Sequence, residues 1–308
     1  MKRPRLAVQL GPLSLPNPVL VASGTFGYGR EYQDCFDLSA LGGLVTKAVT
    51  LRPRQGNRPP RIVETPAGML NAIGLANPGL DVFLREEVPF LQNVGCPVVV
   101  NIAGEAEDEY GELARALDGI PGLAALEVNI SCPNVHCGGM SFGVDPVATR
   151  SVIARVRHST QLPVIAKLSP NVTAIASIAQ AAQQGGADII SLINTLVGMV
   201  IDVQAGRPVL GNVIGGLSGP AIRPVGVRMV WEVAGAVSVP VIGMGGIMNA
   251  QDALEYIMAG ASAVMIGTGN FVDPQTALLV VKGLEEELCA RQWTDIGQAI
   301  GWARRTRA

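Results

Sequence analysis

The stretch Pro240–Gly269, "PVIGMGGIMNAQDALEYIMAGASAVMIGTG", decides how the rest of the chain is read. Two short runs in it, "PVIGMGG" (240–246) and "AVMIGTG" (263–269), are apolar on both parities before they reach glycine. Between them "NAQDALEYIMAG" (249–260) places apolar residues three and four apart and ends in glycine, the pattern of a helix with one buried face. Strand, helix and strand in so short a span make a βαβ unit. A strand apolar on both faces is buried on both faces, as in a parallel sheet.

The same alternation runs through the chain. Six further runs read as buried strands: "VLVASG" (19–24), "GLVTKAVT" (43–50), "VVVNIAG" (98–104), "ALEVNIS" (125–131), "VIAKLSP" (164–170) and "IISLINT" (189–195). Helical periodicity fills most of the gaps, in "DVFLREEVPFLQNVG", "EDEYGELARALDG", "DPVATRSVIARVRHS", "TAIASIAQAAQQGG" and "PVGVRMVWEVAGAV". Eight strand–helix units predict an α/β protein with a (β/α)8 TIM-barrel fold, spanning residues 1–308 as a single domain. The opening "LAVQLGPLSLPNPV" reads as a hairpin that closes the barrel floor. Long connections follow strands two (51–78), four (132–142) and six (196–220), on the face where such barrels carry their chemistry.

Bulk composition narrows the function. Of 308 residues 48% are hydrophobic and 16% charged, enough for a large core without staples. The net charge of −2, with no basic run beyond the two ends, gives no sign of a nucleic-acid surface, and none is expected. Residues 6–24 are interrupted by Gln9, Asn17 and three prolines, so they form no signal-peptide core, and no run of 18 apolar residues suggests a membrane span. Five irregularly spaced cysteines, Cys35, Cys96, Cys132, Cys137 and Cys289, predict free thiols and a cytoplasmic location.

The strand ends carry the polar residues. In order they are Ser23, Lys47, Asn101, Asn129 with Cys132, Lys167, Asn194 with Thr195, Gly245–Gly246, and Gly267–Thr268. The two glycine pairs present backbone N–H groups near helix starts, a geometry that suits a phosphate, although tight turns alone would use the same residues. No G-x-G-x-x-G follows a strand, so a Rossmann-type dinucleotide site is not signalled. A buried lysine is costly unless it faces an anion or electron-rich group, so Lys47 and Lys167 each call for one, a surface salt bridge being the alternative. The asparagines 71, 101, 129, 134 and 194 offer donors and acceptors without charge, suited to a ring with amide edges.

The segment "SCPNVHCGG" (131–139) holds Cys132, His136 and Cys137. The C-x4-C spacing fits no common zinc site, His158 is the only other histidine, and no metal is expected. The scattered cysteines do not form an iron–sulfur framework. Cys132, three residues past a strand end, is placed to act as nucleophile or base.

The motifs "NAIGLANPG", "NISCPN", "AKLSPNV", "INT", "GGLSGPAIRPV", "GMGGI" and "MIGTGNF" together resemble dihydroorotate dehydrogenase, in particular the catalytic subunit of its class 1B, which passes electrons to NAD. The resemblance runs from about residue 22 to about residue 275. It implies an FMN-binding barrel that oxidises (S)-dihydroorotate to orotate in pyrimidine biosynthesis. Cys132 would then be the base that takes the C5 proton while hydride passes from C6 to FMN N5. Lys47, Asn71, Ala72, Ile73, Gly74, Leu75, Asn129, Asn194 and Thr195 would hold the substrate. Ser23, Lys47, Ala48, Asn101, Asn129, Lys167, Ile193 and Gly219 would line the flavin, and Gly245, Gly246, Gly267 and Thr268 would hold its phosphate. Lys167 would sit at the flavin's pyrimidine edge and stabilise the anion formed on reduction.

The resemblance also implies a partner subunit carrying FAD and a [2Fe–2S] cluster, bound to a homodimer of this chain as a heterotetramer. A cysteine at 132, where membrane-associated relatives use serine, points to class 1. Class 1A enzymes, homodimers that reduce fumarate, resemble the "NAIGLANPG" run less. Asn134 separates the chain from dihydropyrimidine dehydrogenase, which reduces uracil and thymine and reads "SCPH" there. Cys137 is a bystander in this reading, and Gly269 stands where relatives often have alanine. A phosphate-sugar aldolase or isomerase barrel is the rival from another class.

Overall fold

The computed structural model describes residues 3–130 and 142–306. Eight strands, β1 (Val19–Val21), β2 (Gly43–Val45), β3 (Val98–Ile102), β4 (Leu123–Asn129), β5 (Val164–Lys167), β6 (Ile189–Leu192), β7 (Val241–Met244) and β8 (Ala263–Ile266), pair in chain order and close into a barrel. Strand β8 pairs parallel with β1, with Val264 opposite Val19 and Met265 opposite Leu20. All eight expected strands are present.

Side chains of successive strand residues point to opposite faces, so each strand serves two cores. Val19, Val21, Val98, Val100, Leu126, Val128, Val164 and Ala166 join the layer between barrel and helices. Leu20, Val45, Val99, Ala125, Ile165, Ile189, Ile242, Ala263 and Met265 form a separate cluster inside the barrel. The N-terminal hairpin, Val8–Leu10 against Leu13–Leu15, adds its buried Leu10, Leu13 and Leu15 to that inner cluster. It therefore plugs the floor, as its alternating leucines predict.

Helices Glu107–Leu117, Pro146–Arg157, Ile175–Gln184, Arg223–Ala234, Ala250–Ala259 and Thr276–Ala290 follow β3 to β8 in turn. Local chemistry starts two of them. Asp145 accepts from the Ala148 N–H with Pro146 in the first turn, and Asn249 accepts from the Asp252 N–H. After β2 the chain is helical through Leu80–Val82, Phe83–Glu87 and Val88–Leu91, with a π-helical middle. Between β1 and β2 there is no α-helix. Two 3-10 turns, Arg30–Tyr32 and Leu38–Ala40, stand in its place, and the buried Phe26 ring stacks on Tyr32 at 3.9 Å.

Two of the long connections are not plain loops. Their segments Leu196–Gly198, Gly215–Ser218, Gly68–Asn71 and Ile62–Thr65 join, in that order, as one antiparallel sheet. A Cβ on Gly68 would lie 2.0 Å from the Ser218 carbonyl oxygen, so glycine is what lets these two strands meet. Among the described residues no helix is long and apolar enough to cross a membrane.

Leu10 is fully buried beneath the barrel. Leu10→Ala is expected to cost about 2–5 kcal/mol of folding stability through lost burial and a residual cavity. A denaturant titration would read this as a lower midpoint at unchanged slope.

Candidate functional site

The inward parity that builds the floor turns polar toward the strand ends. Along β4, Ala125 belongs to the floor cluster and Glu127 and Asn129 follow on the same side. On β3 Asn101 follows Val99, on β5 Lys167 follows Ile165, and on β6 Ser191 follows Ile189. Asn101, Glu127 and Ser191 are fully buried, and Lys167 is 5% exposed. Glu127 is the hub. Its Oε1 accepts from Asn101 Nδ2 at 2.6 Å and lies 3.5 Å from Lys167 Nζ, and its Oε2 accepts from Ser191 Oγ at 3.0 Å. The anion that Lys167 calls for is thus partly supplied from within the chain. Lys47, after Val45 on the same parity, is half-buried at the cavity wall and forms no ion pair among the described residues.

Above this layer lies a cavity with about 1310 Å³ of empty space, its solvent-filled mouth included. Its wall brings together Ser23, Lys47, Ala48, Asn71, Ile73, Gly74, Leu75, Asn129, Lys167, Ile193, Asn194, Thr195, Gly219, Gly245, Gly246, Gly267 and Thr268. Two expected residues are not in that wall. Ala72 is turned away and packs with Leu70 and Leu210. Asn101 lies in the buried layer with Glu127. Cys132, Asn134, His136 and Cys137 lie outside the described residues. Cys35, Cys96 and Cys289 are free thiols, and burial pushes the Cys96 thiol up to about 12.

The glycines after β7 and β8 differ in kind. Gly245 and Gly246 have φ of 128° and 68°, and a Cβ on Gly246 would sit 2.6 Å from the Gly219 carbonyl oxygen. Here the turn itself requires glycine. Tyr256 supports it from below: its hydroxyl, kept protonated as burial raises its pKa, donates to the Gly245 carbonyl at 2.7 Å. Gly267 has no such backbone need. A Cβ there would meet only Ala22 Cβ at 3.8 Å and Thr25 Cγ2 at 3.9 Å, ordinary contacts, and on the inward parity of Ala263 and Met265 it would enter the cavity. Thr268 Oγ1 donates to Ser218 Oγ at 2.8 Å and ties this corner to the added sheet.

The opposite wall is held by amides. Asn71 Nδ2 donates to the Gly216 carbonyl at 3.3 Å. The Thr195 N–H donates to Asn194 Oδ1 at 2.8 Å. Asn171 clamps the same segment: its Nδ2 donates to the Thr195 carbonyl at 3.1 Å, and its Oδ1 accepts from the Val197 N–H at 2.9 Å. The sequence reading missed Glu127, Ser191, Ser218 and Asn171. Glu127 had a signal, a carboxylate in an otherwise apolar run, two residues before Asn129, and Asn171 and Ser218 lie within the motifs "AKLSPNV" and "GGLSGPAIRPV".

A flat polar ring bearing a phosphate fits these features. Gly267 leaves open the space a side chain would fill. Asn101 Oδ1 is a buried acceptor without a donor among the described residues. Lys167 supplies a cation beside it.

Comparison with known proteins agrees. The family model for dihydroorotate dehydrogenase matches residues 5–288. The chain is 59% identical over 302 residues, 98% of each chain, to the "Dihydroorotate dehydrogenase B (NAD(+)), catalytic subunit" of Desulforudis audaxviator. Proteins of the same name from Trichlorobacter lovleyi and Geotalea daltonii are 57% and 55% identical over 97% and 98% of this chain and 98% and 99% of their own. With the match spanning barrel and cavity alike, the chain belongs to the dihydroorotate dehydrogenase family.

Proposed function

We propose that this chain oxidises dihydroorotate to orotate in pyrimidine biosynthesis, with FMN in its cavity, and that it is the catalytic subunit of an NAD-linked enzyme. The observation that carries the reading is the meeting of the glycine corner, Lys167 with Glu127 and Asn101 buried behind it, and the amides 71, 129 and 194 around one cavity, in a chain of this family. Residues 1–308 act as one FMN-binding domain. The relatives' name, a catalytic subunit, supports a separate partner. We assign that partner FAD and a [2Fe–2S] cluster, place it on a homodimer of this chain in a heterotetramer, and locate the assembly in the cytoplasm.

Gly245, Gly246, Gly267 and Thr268 would hold the FMN phosphate, and Ser23, Ala48, Ile193 and Gly219 would surround its ring, with Asn101 buried behind them. When bound, FMN supplies the two-electron acceptor for the hydride that leaves substrate C6. The chain's own residues do the rest. Lys47, the amides of Asn71, Asn129 and Asn194, and the hydroxyl of Thr195 grip the substrate carboxylate and ring amides, aided by the 73–75 run. Cys132, as thiolate, takes the C5 proton onto Sγ, and the electron pair of that C–H bond becomes the C5=C6 bond of orotate. An ordinary thiol ionises near pH ~8.5, close enough to neutrality to serve as a base. Lys167 opposes the negative charge that collects at the cavity floor.

Anaerobic mixing tests the reaction. Dihydroorotate is expected to bleach the visible absorbance of the FMN-loaded chain, dihydrouracil is not, and the chain alone is not expected to reduce NAD. Bleaching by dihydrouracil alone would overturn the substrate, and full-rate NAD reduction without a partner would overturn the subunit arrangement. Cys132→Ser is expected to slow flavin reduction by ~10²–10⁴-fold, the usual contribution of a general base, while Cys137→Ser leaves it near wild type. An unchanged rate in Cys132→Ser would place the base elsewhere.

A further inference from the structure

We infer that Glu127 is a positioning residue for the flavin site, fixing the place of the Lys167 ammonium and the orientation of the Asn101 amide from beneath the cavity. The inference rests on the reading that the cavity holds FMN. Glu127 touches no cavity space itself, yet it is fully buried in the middle of a strand. Hydrophobic residues of similar volume commonly replace buried ion pairs without loss of stability, so this pair is not explained by folding alone.

Its partners come from three other strands. Asn101 on β3 donates at 2.6 Å, Lys167 on β5 stands at 3.5 Å, and Ser191 on β6 donates at 3.0 Å. A carboxylate only accepts, so the Asn101 NH2 group must face it. The amide oxygen then points the other way, and it is the buried oxygen left without a donor. Held this way, the cluster turns the Lys167 ammonium to the cavity and keeps the Asn101 oxygen buried behind the wall. The pyrimidine part of a flavin presents carbonyl oxygens to such a cation and gathers negative charge on reduction.

Charge balance gives the test. Lys167 borders the cavity and Glu127 lies behind it, so the pair is close to neutral with its positive end toward the ligand. Glu127→Gln keeps the shape and removes the counter-charge, leaving the ammonium unbalanced next to the flavin. Glu127→Asp keeps the charge but withdraws it by one methylene. The measurement is the midpoint potential of FMN bound to each variant. Glu127→Gln is expected to shift the reduction equilibrium about tenfold toward reduced flavin, which for a two-electron couple is about 30 mV upward. Glu127→Asp is expected to move it upward by less. If Glu127→Gln does not fold, Glu127→Asp decides alone. Potentials unchanged or lowered would overturn the inference, because a merely structural role lowers stability without raising the potential. A wild-type chain that binds no FMN would instead overturn the cofactor reading on which it rests.

Discussion

A closed barrel of parallel strands has one interior, and alternate residues of all its strands must share it. That constraint organises this molecule. Near the strand starts the shared space is filled by Leu20, Val99, Ile165, Ile189 and Ile242, sealed from below by the hairpin leucines. Two residues further along, the same parity delivers Asn101, Glu127, Lys167 and Ser191. Such a layer is tolerable in a core because its members pair with one another, with the carboxylate at the centre and the ammonium beside it, leaving only the Asn101 amide oxygen without a donor among the described residues of the layer. One further step up, the parity opens on the cavity.

The placement has a functional consequence. Groups mounted on strands between two packed cores have little freedom, which is what a site that must orient a ring requires. The side walls come from less regular pieces, yet these too are locked. The added antiparallel sheet holds Asn71 against Gly216, Asn171 clamps Thr195, and Tyr256 braces the Gly245 turn.

Much of this was legible in the sequence. Strands buried on both faces leave continuous apolar runs, and helices over them leave a three-to-four spacing, so the barrel and most of its elements could be read directly. The helix Thr276–Ala290 escaped notice because its pattern is apolar around much of its surface and Gly283 interrupts it. That glycine allows close approach to the neighbouring helix, since a Cβ there would lie 2.6 Å from Ala250 Cβ. The antiparallel sheet was hidden because its strands are three or four residues long, rich in glycine, and paired between distant segments. Ala72 illustrates a limit of carrying a motif over whole: within the 71–75 run, one residue faces a local apolar cluster instead of the cavity. The Glu127 hub required three-dimensional pairing across four strands. The role given to Cys132 came from family resemblance, because no spacing in the chain distinguishes a base from a nucleophile.

The central claim is that the cavity above the polar layer holds FMN with its phosphate in the corner between β7 and β8. Gly267 tests it most directly, because the fold has room for a side chain there, in the space the proposed phosphate would take. Titration of the apo-chain with FMN, followed by the quenching of flavin fluorescence, is predicted to saturate at one FMN per chain. Gly267→Ala, with unchanged thermal unfolding, is predicted to bind at least about tenfold more weakly, a loss of about 1.4 kcal/mol. Equal affinity in the two proteins would contradict the account.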